Sequence, residues 1–212
     1  MINKNEIKNG VFHISDLNVI KNIQSEQFYF ELQKDYKQQF FENALSISKS
    51  VKKLSFDTGI AYFNLWDCIK RTPISLSNLK KISDFLIKNG YEEFSLKNIE
   101  KNISFMKGGF TPEKIYQPKF PINFATRSGM RFLAHLYHDG SIGKLNRQPH
   151  YVNKSFDQCK EFLEDSKDVF GSFDRKIVLR KDGTYSINLP TIIGDLLVSL
   201  GYTPGDRTVN NA

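Results

Sequence analysis

Two segments in the second half of the chain carry basic side chains and no acidic ones. Residues 144–154 (KLNRQPHYVNK) contain three basic residues and a histidine, and residues 175–181 (RKIVLRK) contain four basic residues. The intervening residues 157–168 carry five acids and two lysines. If both basic segments lie on one surface and the acidic segment faces elsewhere, their field attracts the phosphate backbone of a nucleic acid. The alternative is that each segment is an ordinary solvated surface.

A second candidate DNA-binding region lies in residues 44–88, where apolar spacing predicts helices at 44–55, 59–71 and 78–90. The stretch resembles a helix-turn-helix of the phage-repressor type, whose second helix would lie in the major groove. Ile60 and Phe63, with Leu65 or Trp66, are expected to pack inward. The side chains expected to face DNA are Tyr62, Asn64, Asp67, Lys70 and Arg71. The alternative is a three-helix bundle that binds no nucleic acid.

The elements that would position the C-terminal basic segments follow a regular order. A helix over Ser128–His138 stops at Asp139-Gly140, a second helix starts at Ser155, and Pro190 begins a third that ends at Gly201. Alternating patterns around turn residues predict the strands between them. Those strands are 141–145, 149–153, 174–180 and 184–189, the last two joined by Lys181-Asp182-Gly183. The predicted order is αββαββα.

This second half resembles a known family. Residues 132–140 (FLAHLYHDG) are similar to the LAGLIDADG motif of homing endonucleases, and αββαββα is the order of that family's half-domain. Leu189-Pro190 and residues 200–207 (LGYTPGDR) resemble the family's third helix and its exit. The connector ending in residues 118–122 (PKFPI) resembles the one that joins helix-turn-helix segments to this domain in archaeal members. The resemblance covers residues 44–212.

The resemblance implies a metal-dependent DNA endonuclease. Asp139 would bind a divalent cation, Mg²⁺ or another. The carbonyl of Gly140 would lie close to this cation, because the glycine lets the chain turn sharply out of the helix. Two motif helices would pack side by side and so bring two carboxylates together. A cation held between these carboxylates would neutralise charge on the scissile phosphate. Lys181 is the candidate basic catalytic residue. Since the chain holds one motif, the implied state is a homodimer through the Ser128–His138 helix. The interface residues would be Leu133, Ala134, Tyr137 and His138.

The resemblance also implies that a curved antiparallel sheet reads double-stranded DNA in the major groove. The candidate contacts are Lys144, Arg147, Gln148, His150, Lys154, Arg175, Lys176 and Arg180. His138 stands where the family has small residues, and His135 where it usually has leucine. Two alternatives to the endonuclease therefore stay open. One is a non-catalytic helix-turn-helix regulator with a degenerate LAGLIDADG domain, and the other is an RNA splicing cofactor.

Composition bounds these hypotheses. The chain has 212 residues, a formal net charge of +7 and 40% hydrophobic residues, which is enough for a packed core. The polar N-terminus and the lack of a long apolar run predict no membrane span, and two widely spaced cysteines favour a reducing, cytoplasmic setting. No small-molecule substrate is expected. The α+β chain is predicted to comprise a helical extension (1–43), a helix-turn-helix domain (44–106), a linker (107–127) and a LAGLIDADG-type domain (128–212).

Overall fold

The structure, a computed structural model, describes residues 10–18, 28–109, 111–199, 202 and 205. It combines helices with antiparallel sheets, which confirms the expected α+β class. The helices are α1 (Lys34–Ser48), α2 (Val51–Thr58), α3 (Tyr62–Lys70), α4 (Leu76–Lys88), α5 (Leu96–Ile99), α6 (Arg127–His138), α7 (Phe156–Phe170) and α8 (Thr191–Ser199). The strands are β1 (Val11–Phe12), β2 (Phe28–Leu32), β3 (Ile74–Ser75), β4 (Ile103–Gly108), β5 (Lys114–Tyr116), β6 (Ile122–Asn123), β7 (Gly140–Ile142), β8 (Pro149–Asn153), β9 (Val178–Leu179) and β10 (Tyr185–Asn188).

The N-terminal half contains a four-stranded antiparallel sheet in the order β3-β2-β4-β5. The prediction of a helical extension over residues 1–43 is wrong at Phe28–Leu32, which form the inner strand β2. Phe28, Phe30 and Leu32 are buried and alternate with less buried residues, which is the two-residue period of a strand. Residues 1–9 and 19–27 of that prediction lie outside the described residues.

The helices of the N-terminal half differ from the predicted three. The predicted helix 44–55 is interrupted, because Lys49 adopts a left-handed φ of 64° and ends α1. Ser50 then caps α2 by accepting a hydrogen bond from the N–H of Lys53 at 3.1 Å. Gly59, also at φ 64°, ends α2, and α3 follows after a short turn. The helix-turn-helix assignment of these elements stays a prediction.

The segment predicted as a linker, residues 107–127, is hydrogen-bonded on both sides. Strand β5 extends the N-terminal sheet by pairing with β4, and β6 pairs with β1. Tyr116 and Ser172 exchange two backbone hydrogen bonds, of 2.7 and 2.9 Å, and so join β5 to the chain after α7. This segment therefore contacts elements that precede it and elements that follow it.

From α6 to α8 the elements run helix, strand, strand, helix, strand, strand, helix. Their four strands form an antiparallel sheet in the order β7-β8-β10-β9. Strand β8 has the predicted bounds, and Ser155 caps α7 by accepting from the N–H of Gln158. The predicted strand 174–180 is too long, since only Val178–Leu179 pair with β10. The residues before it run past β5, where Arg175 pairs with Glu113.

Helices α6 and α7 cover one face of this C-terminal sheet. Tyr151 of β8 stacks on Phe162 of α7 with ring centroids 4.5 Å apart, and Phe162 stacks on Phe132 of α6 at 5.3 Å. All three side chains are fully buried, and burial of each contributes about 2–3 kcal/mol. This stack fixes α6 on the sheet. Within the described ranges, no helix has both the length and the apolar character needed to cross a membrane.

Candidate active site at the end of helix α6

Asp139 is the C-cap residue of α6, and it is exposed. Its N–H donates to the carbonyl of His135 at 3.1 Å and so prolongs the last turn of the helix. Its Oδ2 accepts a hydrogen bond from Nδ2 of Asn153, the last residue of β8, at 3.0 Å. The predicted metal-binding residue is therefore an exposed carboxylate that accepts a hydrogen bond from Asn153.

Two glycines allow close backbone approach around α6. A Cβ at Gly140 would lie 2.8 Å from the Cα of Leu136, and a Cβ at Gly129 would lie 2.6 Å from the Cα of Phe124. Gly140 is not among the residues with positive φ, so close backbone approach, and not a left-handed conformation, is what favours glycine at this exit from the helix. A residue with a Cβ would not fit at this position, because β7 leaves the helix against the backbone of Leu136. Gly140 pairs with Tyr151 across the β7–β8 ladder.

A chain of hydrogen bonds leads from Asp139 into the interior. Asn153 Nδ2 also donates to the hydroxyl of Tyr151 at 3.3 Å, and that oxygen lies 3.1 Å from Nδ1 of His135. Nε2 of His135 lies 3.3 Å from Glu161. The tautomer with its proton on Nε2 satisfies both histidine contacts, because Tyr151 then donates to Nδ1. His135, which stands where the motif usually has leucine, thus links α6 to α7 and β8.

The far end of this chain is an ion-pair group between α6 and α7. Arg131 donates to Glu161 at 2.5 Å and to Asp165 at 2.6 Å, and the Asp165 side chain is only 1% exposed. The hydrogen bond to Asp165 raises the pKa of Arg131. Burial, followed by the charge of Asp139, raises the pKa of Tyr151 to about 12. The Tyr151 hydroxyl thus stays protonated and able to donate at neutral pH.

The outer face of α6 carries an exposed apolar stripe. Met130 is 59% exposed and Tyr137 is 61% exposed, and Ala134 lies between them at helical spacing. The stripe ends beside Asp139. Sequence reasoning did not single out Met130, although its spacing from Ala134 and Tyr137 was the available signal. The predicted interface residue Leu133 is half-buried, whereas Ala134, Tyr137 and His138 are exposed.

The basic residues near the C-terminal sheet lie at strand ends and in turns, so the predicted position on strands is wrong for Lys144, Arg175, Lys176 and Arg180. Every second residue of a strand here faces the core, where an unpaired cation would be costly. Lys144 and Arg147 lie in the β7–β8 turn, and Lys154 follows β8. The segment before β9 holds Arg175 and Lys176, and the β9–β10 turn holds Arg180 and Lys181.

All three of these arginines have carboxylate partners: Arg180 lies 4.0 Å from Asp182 in its own turn, and the other two pair with distant elements. Arg147 Nη1 lies 3.3 Å from Asp195 of α8, and Arg175 donates to Glu113, whose other oxygen accepts from the N–H of Thr191. Both arginine side chains are partly buried. They hold neighbouring elements together, and their contact with DNA stays a prediction. The exposed predicted contacts are Lys144, Lys154, Lys176 and Arg180, and Gln148 is half-buried.

The face of the sheet opposite α6 and α7 carries polar side chains and two valines, and its strands contain no lysine or arginine. Ser141, His150 and Asn188 form one row across β7, β8 and β10. Ser186 lies in the next row, between Val152 and Val178. Of these residues only His150 was predicted to contact DNA. Strand alternation starting from buried Tyr151 and Ile187 was the signal that would have found the serines and Asn188.

Lys181, the predicted catalytic residue, is exposed and lies at the same end of the sheet as Asp139. Tyr185 pairs with Asn153 on one side and Leu179 on the other, so the β9–β10 turn and Asp139 share that end. Three strand spacings separate them, which is about 14 Å. Within one chain, therefore, the two side chains are not brought together.

Helix α3 carries the five residues predicted to face DNA, and each is exposed: Tyr62, Asn64, Asp67, Lys70 and Arg71. Leu65 and Cys68 form its buried side, and Ile60 in the preceding turn is also buried. The prediction that Phe63 packs inward is wrong, since Phe63 is 78% exposed. It lies about 160° around the helix from Leu65.

The described residues contain no group of three or more His, Cys, Asp or Glu side chains that could hold a metal ion. In comparisons with known proteins, no family model, curated protein or solved structure matched the chain. The family resemblance therefore rests on the sequence motif and the element order alone.

Proposed function

We propose that the chain is a sequence-specific, metal-dependent endonuclease of the LAGLIDADG homing type that acts on double-stranded DNA as a homodimer. The observation that carries this proposal is an exposed carboxylate, Asp139, at the end of an exposed apolar helix face. A second copy packed on Met130, Ala134 and Tyr137 brings its own Asp139 next to the first. Burying these side chains against a partner supplies part of the association energy.

The electrostatics of α6 favour a cation beside Asp139. The C-terminal end of a helix carries partial negative charge, so a carboxylate there is destabilised by roughly 0.3–1 kcal/mol. Two such carboxylates and two helix ends in one dimer strengthen the preference for a divalent cation. Asp139 and the carbonyl of Gly140 are oxygen donors of the kind that Mg²⁺ prefers. When bound, Mg²⁺ would stabilise the negative charge that develops during phosphodiester hydrolysis.

The C-terminal sheet supports DNA as the substrate. Its open face presents serine, asparagine and histidine side chains, which can hydrogen-bond to base edges. Exposed lysines at the strand ends, Lys144, Lys154 and Lys176, flank that face and suit phosphate contacts. This division, with polar readers on the strands and cations at the margins, is what a β-sheet in the major groove requires.

Asp139→Asn tests the proposal, with Asp157→Asn at another exposed carboxylate as the matched control. Wild type and each variant are incubated separately with Mg²⁺ and a randomised duplex DNA library, and the new DNA ends are sequenced. Wild type and Asp157→Asn are expected to cut at shared sites, and Asp139→Asn to lose at least 100-fold in rate, because it cannot hold the cation. Equal cutting by Asp139→Asn, or no cutting by wild type, would refute the endonuclease.

A non-catalytic DNA-binding regulator is the second candidate. The observation that favours it is the hydrogen bond that already occupies Oδ2 of Asp139, together with the bulky His138 on the outer side of α6. In that case Asp139→Asn leaves duplex affinity unchanged and no cleavage occurs. Affinity would still fall steeply with salt, since phosphate contacts release counterions.

A further inference from the structure

The outer face of helix α3 is a cluster of exposed aromatic side chains. Tyr62, Phe63 and Trp66 are 42%, 78% and 41% exposed. The Tyr62 ring is edge-on to Phe63 at 5.6 Å between centroids and nearly parallel to Trp66 at 6.4 Å. Nζ of Lys70 lies 5.5 Å from the centre of the Trp66 ring. These rings contact one another, and an aromatic surface therefore faces solvent beside a cation.

A polar cavity of about 610 Å³ is lined in part by other residues of the same helix, including the sequence neighbours of Phe63 and Trp66. Asn64 and Asp67 line it from α3, Asn78 and Lys81 from α4, and Lys107 from β4. Nζ of Lys81 donates to the carbonyl of Gly59 at 3.3 Å and is otherwise exposed. The cavity thus combines two lysines and one aspartate with amide groups, and this polar set with an excess of positive charge suits a phosphodiester backbone better than an apolar ligand.

The charge of the region indicates the class of ligand. Residues 41–110 hold eleven basic and seven acidic residues. Protein interfaces are depleted in lysine at their centres, whereas single-stranded nucleic acid binds where a positive groove lies beside aromatic rings. Phe63 has no hydrogen-bonding group for reading base edges in a duplex, but its ring can stack on any base.

We propose that helix α3 binds unpaired bases of a nucleic acid strand, which stack on Phe63 and Trp66 while the phosphates lie in the cavity near Lys81 and Lys107. The proposal rests on the proposed function in taking DNA as the ligand, but it does not involve Asp139. In a complex with duplex DNA, this surface would hold a locally opened strand. Binding here would tolerate many sequences, because stacking does not distinguish bases strongly.

Trp66 is the only tryptophan in the chain, so its fluorescence reports on this surface alone. The probes are a 12-nucleotide single strand, the matching duplex, and a single strand of equal length that lacks bases. The single strand is expected to quench Trp66 at a concentration at least tenfold lower than either other probe. Equal quenching by the base-free strand would show contacts to phosphate alone, and equal or stronger quenching by the duplex would show a groove-reading helix. Either result would overturn the proposal.

Phe63→Ala is the decisive variant, and Phe156→Ala, at an exposed aromatic of α7, is its control. Phe63→Ala should weaken single-strand binding about tenfold or more with an unchanged salt dependence, because no charge is removed. Phe156→Ala should bind like wild type, and equal behaviour of the two variants would contradict stacking on Phe63. Asp139→Asn separates the two proposals: it should lose duplex cleavage and keep single-strand binding, so either activity can fail without the other.

Discussion

Replacing Tyr151 by Phe removes one buried hydroxyl and keeps the ring that stacks on Phe162. The Tyr151 side chain is fully buried, and its oxygen is shared between Asn153 at 3.3 Å and His135 at 3.1 Å. The change therefore breaks the hydrogen-bond chain that runs from Asp139 to α7. Asn153 and His135 are partly exposed, so water can replace part of what each loses. We expect a loss of about 1–2 kcal/mol in the free energy of unfolding at pH 7.

The loss should disappear at alkaline pH. Burial raises the pKa of Tyr151 to about 12, against about 10 in the unfolded chain. The contribution of the protonated hydroxyl is fully present below pH 10 and is lost as the pH rises toward 12. At pH 11 the wild type gives up about 1.4 kcal/mol through this group, whereas the phenylalanine variant has nothing to ionise there. The two unfolding free energies should therefore nearly coincide at pH 11.

Urea unfolding at pH 7 and at pH 11, followed by far-ultraviolet circular dichroism, measures both differences. Tyr116→Phe, at an exposed position on β5, is the matched control and should stay within about 0.5 kcal/mol of wild type at both pH values. A Tyr151→Phe deficit that is as large at pH 11 as at pH 7 would refute the burial of this hydroxyl. A variant as stable as wild type at pH 7 would refute the hydrogen-bond chain.

Two further substitutions test the packing around the site. Arg131→Ala leaves the buried Asp165 carboxylate unpaired, so we expect a lower free energy of unfolding in urea, with a smaller loss than for a fully buried pair because Arg131 itself is 39% exposed. Arg131→Lys should recover part of the lost stability, and an alanine variant as stable as wild type would contradict the pairing of Arg131 with Asp165. Gly194→Ala would place a Cβ 1.5 Å from the carbonyl oxygen of Arg147, so α8 must move. We expect a melting temperature lower by more than about 4 °C, and an unchanged value would mean that α8 does not lie there.

Local patterns predicted the C-terminal elements better than the N-terminal ones. The bounds of β8 follow from its flanking turn residues, and the αββαββα order from caps, prolines and apolar periods. Strand β2 was missed because the sequence around Phe28 and Phe30 resembles an aromatic-rich helix. Its strand conformation depends on pairing with β4, more than 70 residues away. Propensity carries no information about such partners.

The candidate site, too, could be predicted from the sequence only in part. Asp139 follows from a local motif, whereas the contacts that orient it join His135, Tyr151 and Asn153 on different elements. Phe63 was placed inside because aromatic residues are usually buried, but Leu65 and Cys68 already fill the inner side of α3. The basic segments were recognised by composition. The position of Arg175, Lys176 and Arg180 outside a strand could not be predicted, because it depends on how short the ladder of β9 is.

The segment around Tyr116 and Pro118 has a consequence for how the chain unfolds. It shares backbone hydrogen bonds with Ser172, its neighbour Glu113 pairs with Arg175, and its buried residues belong to one core that includes side chains of α4 and of α8. Neither half can lose its structure without exposing apolar surface of the other. Melting should therefore be a single cooperative transition, and a cut within residues 107–127 should leave two fragments that fold only when mixed.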